Sequence, residues 1–425
     1  MLIIGGGIGG LCLAHGLRRA GVSVAVYERS EVRTDWLQGY RIHINPHGAQ
    51  ALHDCLPRRQ WDSFVATAGK SSAGFAFQTE QLRDLLFLPS SMIAPAEAGP
   101  ADSHHSVSRI MLREVLLDGL DDVVRFGKEF TRYEQAPDGR VTAFFADGTS
   151  ATGDVLVGAD GANSRVRQQY LPDARRIDTG VVTIAGKLPL TEQTRAWLPE
   201  RLSGRVSNIM PPGDCSMFTA VWEEDRQPAV TGAPAGARGE ARPGRPLPVS
   251  TQDYLLWGFS AKRSGYPADL SGDGAVLRDM VASMISGWHP ALIRLVAESD
   301  PATVNPVIIR SMAPVRAWQP SRVTLLGDAI HNMTPMAGIG ANTALRDASL
   351  LAGRLAAARS GALLAAIGDY EAEMRDYGFA AVRLSVRNAR QAVIGRYGRL
   401  PFRMMLRATS ALPPLKRRFA RALGS

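Results

Sequence analysis

The chain alternates short apolar runs with glycine-rich turns and stretches of helical periodicity, and one such unit covers residues 323–350. Its apolar run, 323–326, predicts a strand that breaks at Gly327 and Asp328, and an Ala- and Leu-rich helix begins near Asn342. The connecting loop is punctuated by Pro335, Gly338 and Gly340. Glycines let a backbone approach a ligand closely, and the free N–H groups at a helix start favour negative charge. The unit predicts a site for a polar ligand, although an ordinary strand–loop–helix has the same pattern.

A second unit lies at residues 2–28. An apolar run, 2–4, leads into the turn GGGIGG, a helix at 11–20 and a strand at 22–27 that ends at Glu28. This is a GxGxxG fingerprint in its strand–turn–helix–strand context. Gly5 suits the tight turn, Gly7 the approach of a pyrophosphate and Gly10 the packing of helix on strand. A carboxylate at Glu28 is placed to accept hydrogen bonds from ribose hydroxyls, so the unit predicts an adenine dinucleotide site without separating NAD from FAD.

The third unit, at 154–167, again ends an apolar strand at an acid beside glycine, Asp160-Gly161. Ser164 and Arg165 follow at the start of a helix. Asp160 either binds a nucleotide or caps that helix, and its position alone favours capping. Two hairpins before this unit are indicated by Asp-Gly pairs at 138–139 and 147–148.

Two basic positions and one histidine are ambiguous by pattern. Residues 39–46 alternate like a strand, with Arg41 and His43 on one face, which is either a solvent face or a ligand face. Arg109 falls in the first turn of a helix predicted over 109–120, where the helix dipole favours acids. An anion held nearby explains that arginine, and an exposed surface arginine is the alternative.

The sequence pattern changes between about residues 180 and 306, where strand-like runs are separated by long polar connections. Connection 224–249 is dense in Pro, Gly, Ala and Arg and is expected to be mobile, or at most a lid. The aromatic residues on these strands are expected in the core, with a ligand pocket as the alternative for alternate members. They are Phe218, Trp222, Trp257 and Phe259. From 361 onward the chain is expected to be helical and ends in a basic tail, which either packs on its own protein or lies on an acidic membrane surface.

Composition limits the possible partners. The net charge is +9, but only five of the 49 basic residues are lysines, and no basic stripe with interleaved aromatics indicates nucleic acid. The three cysteines are far apart, which fits a reducing compartment and a cytoplasmic location. No histidine or cysteine spacing predicts a metal site, no apolar run is long enough to span a bilayer, and the first residues do not resemble a signal peptide.

The three units occur in a recognisable order. The GxGxxG with Glu28, the Asp160-Gly161 pair with Arg167, and Gly327-Asp328 through Pro335 to Asp347 together resemble the class A flavoprotein monooxygenases, the p-hydroxybenzoate hydroxylase family. The resemblance covers most of the chain. It implies an α/β fold with a Rossmann-type FAD-binding domain of the GR2 type, an inserted and mostly antiparallel sheet domain for substrate, and a C-terminal helical region. The absence of a second GxGxxG agrees with it, since this family has no separate NAD(P)H domain.

The resemblance also implies domain limits and cofactor-binding residues. The FAD-binding domain takes residues 1–70, 104–175 and 305–360, the substrate domain 71–103 and 176–304, and the helical region with its basic tail 361–425. The implied cofactor-binding residues are Gly5, Gly7, Gly9, Gly10, Glu28, Arg29, Arg41, Arg109, Asp160, Asp328, Pro335, Gly338, Gly340, Ala341 and Asn342.

Several of these residues carry specific implied roles. Glu28 binds the adenosine ribose, with Arg29 beside it, and Arg109 reaches the ribityl-pyrophosphate part of FAD. Asp328 binds ribityl-side hydroxyls. The backbone of 340–342 faces the isoalloxazine edge.

Two further assignments concern the reacting part of the site. Asp160 is tied in the family to both FAD and NAD(P)H. Arg41 and His43 lie on the strand that passes the flavin, and they are the candidate catalytic residues, with His43 the best available general base. No metal is implied.

The implied chemistry is oxygen insertion. NADPH or NADH transfers hydride to the flavin, and the positive end of the helix near Asn342 stabilises the negative charge near flavin N1. Reduced flavin and O2 give a C4a-hydroperoxide, which a dry pocket protects from decomposition. The implied substrate is an apolar ring compound, aromatic or polyketide-like, and the cofactor performs the difficult step.

Alternatives remain. A flavin-dependent halogenase is disfavoured because no two tryptophans are separated by one residue, so the WxWxIP signature is missing. A flavin oxidase and a Baeyer–Villiger oxygenase share the fold and stay open. A non-catalytic adaptor that has lost its cofactor predicts a colourless protein.

Overall fold

A computed structural model gives the structure of the protein. It describes residues 1–31, 41–70, 72–93, 99–224, 252–267, 269–358 and 361–424. Two features expected from the sequence fall largely outside these residues: positions 39 and 40 of the predicted strand, and nearly all of the connection 224–249.

The chain divides into two compact units. The first comprises Met1–Thr67, Pro100–Ile177 and Arg310–Val386. The second comprises Ala68–Gly99, Asp178–Ile309 and Arg387–Ser425. The three-part domain division given above stays a prediction.

Strands and helices alternate through the first unit, and strands dominate the middle of the second. The strands are β1 (Leu2–Ile4), β2 (Ala25–Tyr27), β3 (Arg41–Ile44), β4 (Gly74–Gln78), β5 (Asp84–Pro89), β6 (His105–Ser108), β7 (Val124–Arg125), β8 (Phe130–Gln135), β9 (Val141–Phe145), β10 (Ser150–Gly153), β11 (Leu156–Gly158), β12 (Arg176–Pro189), β13 (Val206–Ile209), β14 (Cys215–Trp222), β15 (Tyr254–Lys262), β16 (Asn305–Met312) and β17 (Val323–Leu325). The α-helices are α1 (Ile8–Arg19), α2 (Pro46–Cys55), α3 (Arg58–Ala66), α4 (Ser90–Ile93), α5 (Arg109–Leu117), α6 (Arg165–Tyr170), α7 (Glu192–Trp197), α8 (Glu200–Ser203), α9 (Gly274–Met284), α10 (Pro290–Ala297), α11 (Asp328–His331), α12 (Gly340–Ala357), α13 (Leu363–Ala392), α14 (Arg396–Ala411) and α15 (Pro413–Gly424).

A five-stranded parallel sheet organises the first unit, in the order β17-β11-β1-β2-β7. Its strands β1, β11 and β17 are fully buried, as expected where helices cover both faces of a parallel sheet. β1 pairs with β2 on one side and β11 on the other, so the direction of winding reverses beside β1. In doubly wound sheets, ligands bind at such a point, outside the carboxyl ends of the strands.

The three sequence units end at this same sheet edge. Ile4 of β1 is in register with Gly158 of β11, and Gly158 is in register with Leu325 of β17. Because the strands are parallel neighbours, the turns that follow them lie side by side. The register thus brings together turns that are far apart in the sequence.

A three-stranded antiparallel sheet, β10-β9-β8, also belongs to the first unit. The tight turns between its strands fall at the two Asp-Gly pairs, and both predicted hairpins are confirmed.

The second unit contains most of a seven-stranded sheet in the order β16-β12-β15-β14-β13-β4-β5. Its described pairings are antiparallel except for β13 with β4. Trp222, Trp257 and Phe259 are buried, as expected for core aromatics, whereas Phe218 is exposed. The α/β fold class with a mostly antiparallel second sheet and a helical region late in the chain is confirmed.

Candidate functional site

The glycines in and after the turn that follows β1 are of two kinds. Some are required because a side chain would clash, and one faces open space. Gly5 has φ +112°, and a Cβ there would lie 2.3 Å from the carbonyl oxygen of Ala159. A Cβ on Gly10 would lie 2.2 Å from the Gly5 oxygen, and one on Gly9 would lie 2.7 Å from Leu326 Cδ1. At Gly7, the N-cap of α1, a Cβ would meet nothing within 4 Å. The start of α1 therefore faces open space, which fits a phosphate group at a helix N-terminus.

Glu28 lies against this turn. Its side chain is buried, and Oε2 accepts a hydrogen bond from the Gly6 N–H at 2.7 Å. Oε1 accepts hydrogen bonds from the backbone N–H and the hydroxyl of Ser30, both at 2.9 Å. The carboxylate is thus fixed beside the glycine turn, while the neighbouring Arg29 is exposed.

Arg113 is a residue that sequence reasoning missed. It is buried, and its Nε donates to the Gly6 carbonyl oxygen at 3.2 Å. It follows Arg109 by one helical turn on α5, and that spacing was the available signal. The second arginine helps to hold the glycine turn from the α5 side.

Arg109 and Asp328 lie within electrostatic range of each other although they are distant in the sequence. Burial lowers the pKa of the Arg109 guanidinium, and the Asp328 carboxylate partly opposes this shift. Asp328 itself is exposed at the start of α11. An acid near Arg109 accounts for a cation at a helix N-terminus, where the dipole alone would disfavour it.

Asp160 is engaged with the start of α6. Its carboxylate accepts hydrogen bonds from the Ser164 hydroxyl, from Arg165 N–H at 2.8 Å and from Val166 N–H at 3.2 Å. The capping interpretation therefore describes this structure, and burial raises the pKa of Asp160. Its proposed part in nucleotide binding stays a prediction.

Arg167 links the sequence segment 154–167 to the segment 323–350. Its Nη1 donates to the Ala329 carbonyl oxygen at 2.8 Å, and its Nη2 donates to that of Ala162 at 3.1 Å. The guanidinium is buried. It therefore connects the loop after Asp160 to α11, the helix that carries Asp328.

The loop before α12 is shaped by a left-handed glycine. Gly338 has φ +66°, in the region that favours glycine. Pro335 and Gly338 are exposed, and Gly340 and Ala341 are partly buried at the start of α12. Within the described residues no side chain caps α12, so the N–H groups of its first turn are available to a ligand.

The side chain of Asn342 points back to β3 and α2. Its Oδ1 accepts from Asn45 N–H at 2.8 Å, and its Nδ2 donates to the carbonyl oxygens of His43 at 2.8 Å and Gly338 at 3.3 Å. The amide is buried and fixes the loop to β3.

Arg41 and His43 lie on β3, which pairs with β6. Arg41 Nε donates to Ser106 Oγ at 2.6 Å, and His43 Nε2 lies 2.9 Å from His104 Nδ1. Burial, reinforced by the nearby Arg41 charge, lowers the pKa of His43 to about 3. His43 is therefore neutral at physiological pH and a weak proton acceptor.

A buried polar network supports the turn at Gly327. Asp347 Oδ2 accepts from the Gly327 N–H at 2.7 Å and from His331 Nε2 at 2.6 Å. Asp347 Oδ1 accepts from the Tyr377 hydroxyl at 2.6 Å. Burial alone would lower the pKa of His331, but the Asp347 carboxylate raises it overall. Neither His331 nor Tyr377 stands in a sequence pattern that predicts this contact.

A doubly wound sheet with three glycine-and-acid turns at one edge defines a dinucleotide-binding enzyme fold. The family profile described as FAD binding domain matches residues 1–246 and 288–385. The chain therefore belongs to the FAD binding domain family, and within it to the class A flavoprotein monooxygenase family. This confirms the resemblance, with FAD as the cofactor.

Three similar proteins illustrate the relationship. The chain is 32% identical over 88% of its length to the dual O-methyltransferase/FAD-dependent monooxygenase CTB3 of Cercospora beticola, of which it spans only 44%. It is 30% identical over 88% of its length to the FAD-dependent urate hydroxylase of Klebsiella pneumoniae, covering 85% of that protein. A crystal structure from Photorhabdus luminescens, described as an FAD-containing monooxygenase, has 40% identity and a TM-score of 0.80, with 92% of this chain and 98% of that chain covered.

Two alanine substitutions should distinguish a glycine required for packing from a glycine required for ligand binding. We expect Gly10→Ala to destabilise the apoprotein by about 1–3 kcal/mol, because the clash with the Gly5 oxygen outweighs the gain in helix propensity. Gly7→Ala should leave the apoprotein melting temperature within about 2 °C but weaken FAD retention, because its methyl group enters the open space. Thermal unfolding and flavin absorbance after gel filtration measure both. Full FAD occupancy in Gly7→Ala would contradict the assignment of that space.

The His331–Asp347 pair should make stability depend on pH. The pKa of His331 is raised in the folded protein, so the contribution of its charge is fully present below the unfolded value of about 6.5. It is lost as pH rises through the folded pKa. The difference in urea midpoint between the unmodified protein and His331→Gln should therefore narrow from pH 6 to pH 9.

Asp347→Asn provides the comparison for that experiment. It should destabilise the protein by about 3 kcal/mol, because it removes one partner of a buried pair, and it should abolish the same pH dependence. A constant difference between the unmodified protein and His331→Gln across the pH range would show that His331 is neutral throughout.

Proposed function

We propose that this FAD-dependent monooxygenase consumes NADPH or NADH and inserts one oxygen atom from O2 into an apolar ring compound, aromatic or polyketide-like. The observation that carries this proposal is the register of β1, β11 and β17, which aligns the three glycine-and-acid turns at one edge of the sheet. The relatives described above add the reaction class. Their names include a urate hydroxylase, and urate is a ring compound.

The residues at this edge fit FAD along its length. The open space at Gly7 and the start of α1 would take the pyrophosphate, and the fixed Glu28 carboxylate would accept the adenosine ribose hydroxyls. Arg109 and Asp328 would hold the ribityl region, since one is cationic and the other is an exposed hydrogen-bond acceptor.

The reacting end of the cofactor would lie by α12. When bound, FAD accepts hydride from the nicotinamide and activates O2. The uncapped N-terminus of α12 presents its partial positive charge where negative charge develops. Asn342 and Gly338 keep that helix start against β3, so the protein contributes orientation and a fixed electrostatic field.

General acid–base catalysis by a side chain is a minor part of the proposed mechanism. The pKa of about 3 makes His43 a weak base, and its contact with His104 occupies one ring nitrogen. We propose that Arg41 and His43 line the flavin side of β3 and position groups there. This differs from a catalytic base, which needs a pKa near the working pH.

The test measures flavin reduction and the incorporation of oxygen from O2 into product, with the purified holoenzyme. Candidate ring compounds, including hydroxylated aromatics, aromatic polyketides and urate, are mixed anaerobically with the enzyme and NADPH or NADH. A substrate should speed flavin bleaching at least about tenfold, and under 18O2 its product should carry one labelled atom. Stoichiometric hydrogen peroxide with no labelled product from any compound would favour the flavin oxidase instead. A labelled ester or lactone would identify the Baeyer–Villiger outcome.

The assignment of Asp328 has its own test. Asp328→Ala should weaken FAD binding at least about tenfold, roughly 1.4 kcal/mol, because the ribityl hydroxyls lose their acceptor. Asp369→Ala removes an exposed carboxylate on α13 in the same unit and is the matched control. FAD titration monitored by flavin fluorescence measures both. Equal affinity in the two variants would mean that Asp328 does not contact the cofactor.

A further inference from the structure

The last two helices of the described chain, α14 and α15, each pack one apolar face against the rest of the second compact unit. Phe402, Leu406 and Phe419 pack into a hydrophobic cluster with Phe77 and residues of β5. This packing belongs to the second unit. The apolar residues on that side of both helices are therefore accounted for by the fold.

A buried arginine anchors α14 in the same unit. Arg399 Nη2 donates to the carbonyl oxygens of Cys215 at 3.0 Å and Ala392 at 2.8 Å. Its Nε donates to the Gly213 carbonyl oxygen at 3.4 Å. Arg403 forms an ion pair with Glu80 at 3.4 Å. These contacts fix which side of α14 faces its own unit and which side faces outward.

The outward side of α14 is also apolar. Tyr397 is 91% exposed, Leu400 63% and Met404 61%, and their spacing of three and four residues places them on one helical face. Among the described residues, six of the thirteen exposed large hydrophobic side chains lie between 397 and 415. A soluble helix that packs on one side usually presents polar residues on the other. This second apolar face is unexplained by the fold.

The same two helices carry a strong positive charge. Residues 396–424 contain eight basic residues and no acidic one, in a chain whose net charge is +9. Arg407, Arg417, Arg418 and Arg421 are exposed. Because α14 and α15 pack against each other, these exposed arginines and the exposed leucines and methionines belong to one pair of helices.

We propose that this outer surface of α14 and α15 docks on an anionic lipid bilayer. Exposed aliphatic and tyrosine side chains enter the boundary between headgroups and acyl chains, while arginines at the edge of the same surface pair with lipid phosphates. The helices lie on the membrane, since no helix in the described part of the chain has an apolar stretch long enough to cross it. The inference does not depend on the proposed reaction.

The positive charge of this surface favours an anionic bilayer over a second copy of the chain and over nucleic acid. A second copy of the chain, related by twofold symmetry, would bring arginines against arginines, because such an interface uses the same surface on both subunits. Nucleic acid would satisfy the arginines but would leave Leu400, Met404 and Met405 facing a charged backbone. An anionic bilayer satisfies both the charge and the apolar side chains.

Vesicle sedimentation tests the proposal with the full-length holoenzyme. The protein should pellet with vesicles of phosphatidylcholine containing about one-third phosphatidylglycerol, and at least about tenfold less with phosphatidylcholine alone. Sodium chloride at about 0.5 M should weaken the binding, because it screens the arginines.

Two paired variants assign the surface. Leu400→Ser with Met404→Ser, and Arg417→Gln with Arg418→Gln, should each reduce partition about tenfold or more. Val276→Ser, an exposed valine on α9, and Arg58→Gln, an exposed arginine on α3, are the matched controls and should bind like the unmodified protein. Equal thermal stability and FAD content across the set show that folding is unchanged.

Three results would overturn the proposal. The first is protein that stays in the supernatant with anionic vesicles at low salt. The second is binding that is equal for neutral and anionic vesicles, or that neither surface variant changes. A dimer in light scattering that the surface variants dissociate, without vesicle binding, would assign the surface to a second copy.

Discussion

The parallel hydrogen bonding of β1, β11 and β17 sets where the three glycine-containing turns of the candidate site lie. Each strand contributes a short apolar run, and the register places their carboxyl ends at one level. The turns that follow are then close in space whatever their distance along the chain. Helix starts and acids delivered from such an edge act on one ligand, which is the physical basis of dinucleotide binding in doubly wound folds.

That arrangement depends on buried polar contacts behind the turns. Asp347 receives hydrogen bonds from Gly327, His331 and Tyr377, and Arg167 connects α6 to α11. Buried carboxylates and guanidinium groups are tolerated because their hydrogen-bonding capacity is largely used within the fold. The exposed Asp328 therefore stands on a turn whose own backbone is held from the interior.

Sequence patterns predicted the local features well. The glycine turn and both hairpins follow from residue types with strong conformational preferences. The pattern also offered helix capping as one interpretation of Asp160, and capping is what the structure has. Such features depend on neighbours within a few residues, which a single sequence displays directly.

Other features depend on contacts between distant segments and gave no comparable signal. The direction of the Asn342 side chain depends on Asn45 and on the path of β3, and the burial of Arg113 depends on how α5 packs beside the glycine turn. The weak basicity of His43 arises from burial and from Arg41 together. The apolar outer side of α14 could be recognised only after its inner side was known.

The Asn342 contacts have a consequence for engineering this scaffold. A Cβ at Gly48 would lie 2.3 Å from Asn342 Oδ1, and the same oxygen accepts the Asn45 N–H. The loop before α12 is thus interlocked with the first turn of α2, a helix nearly three hundred residues earlier. Chimeras that exchange the 335–342 loop between relatives must carry Asn45 and Gly48 with it, because either half alone would meet an ill-fitting counterpart.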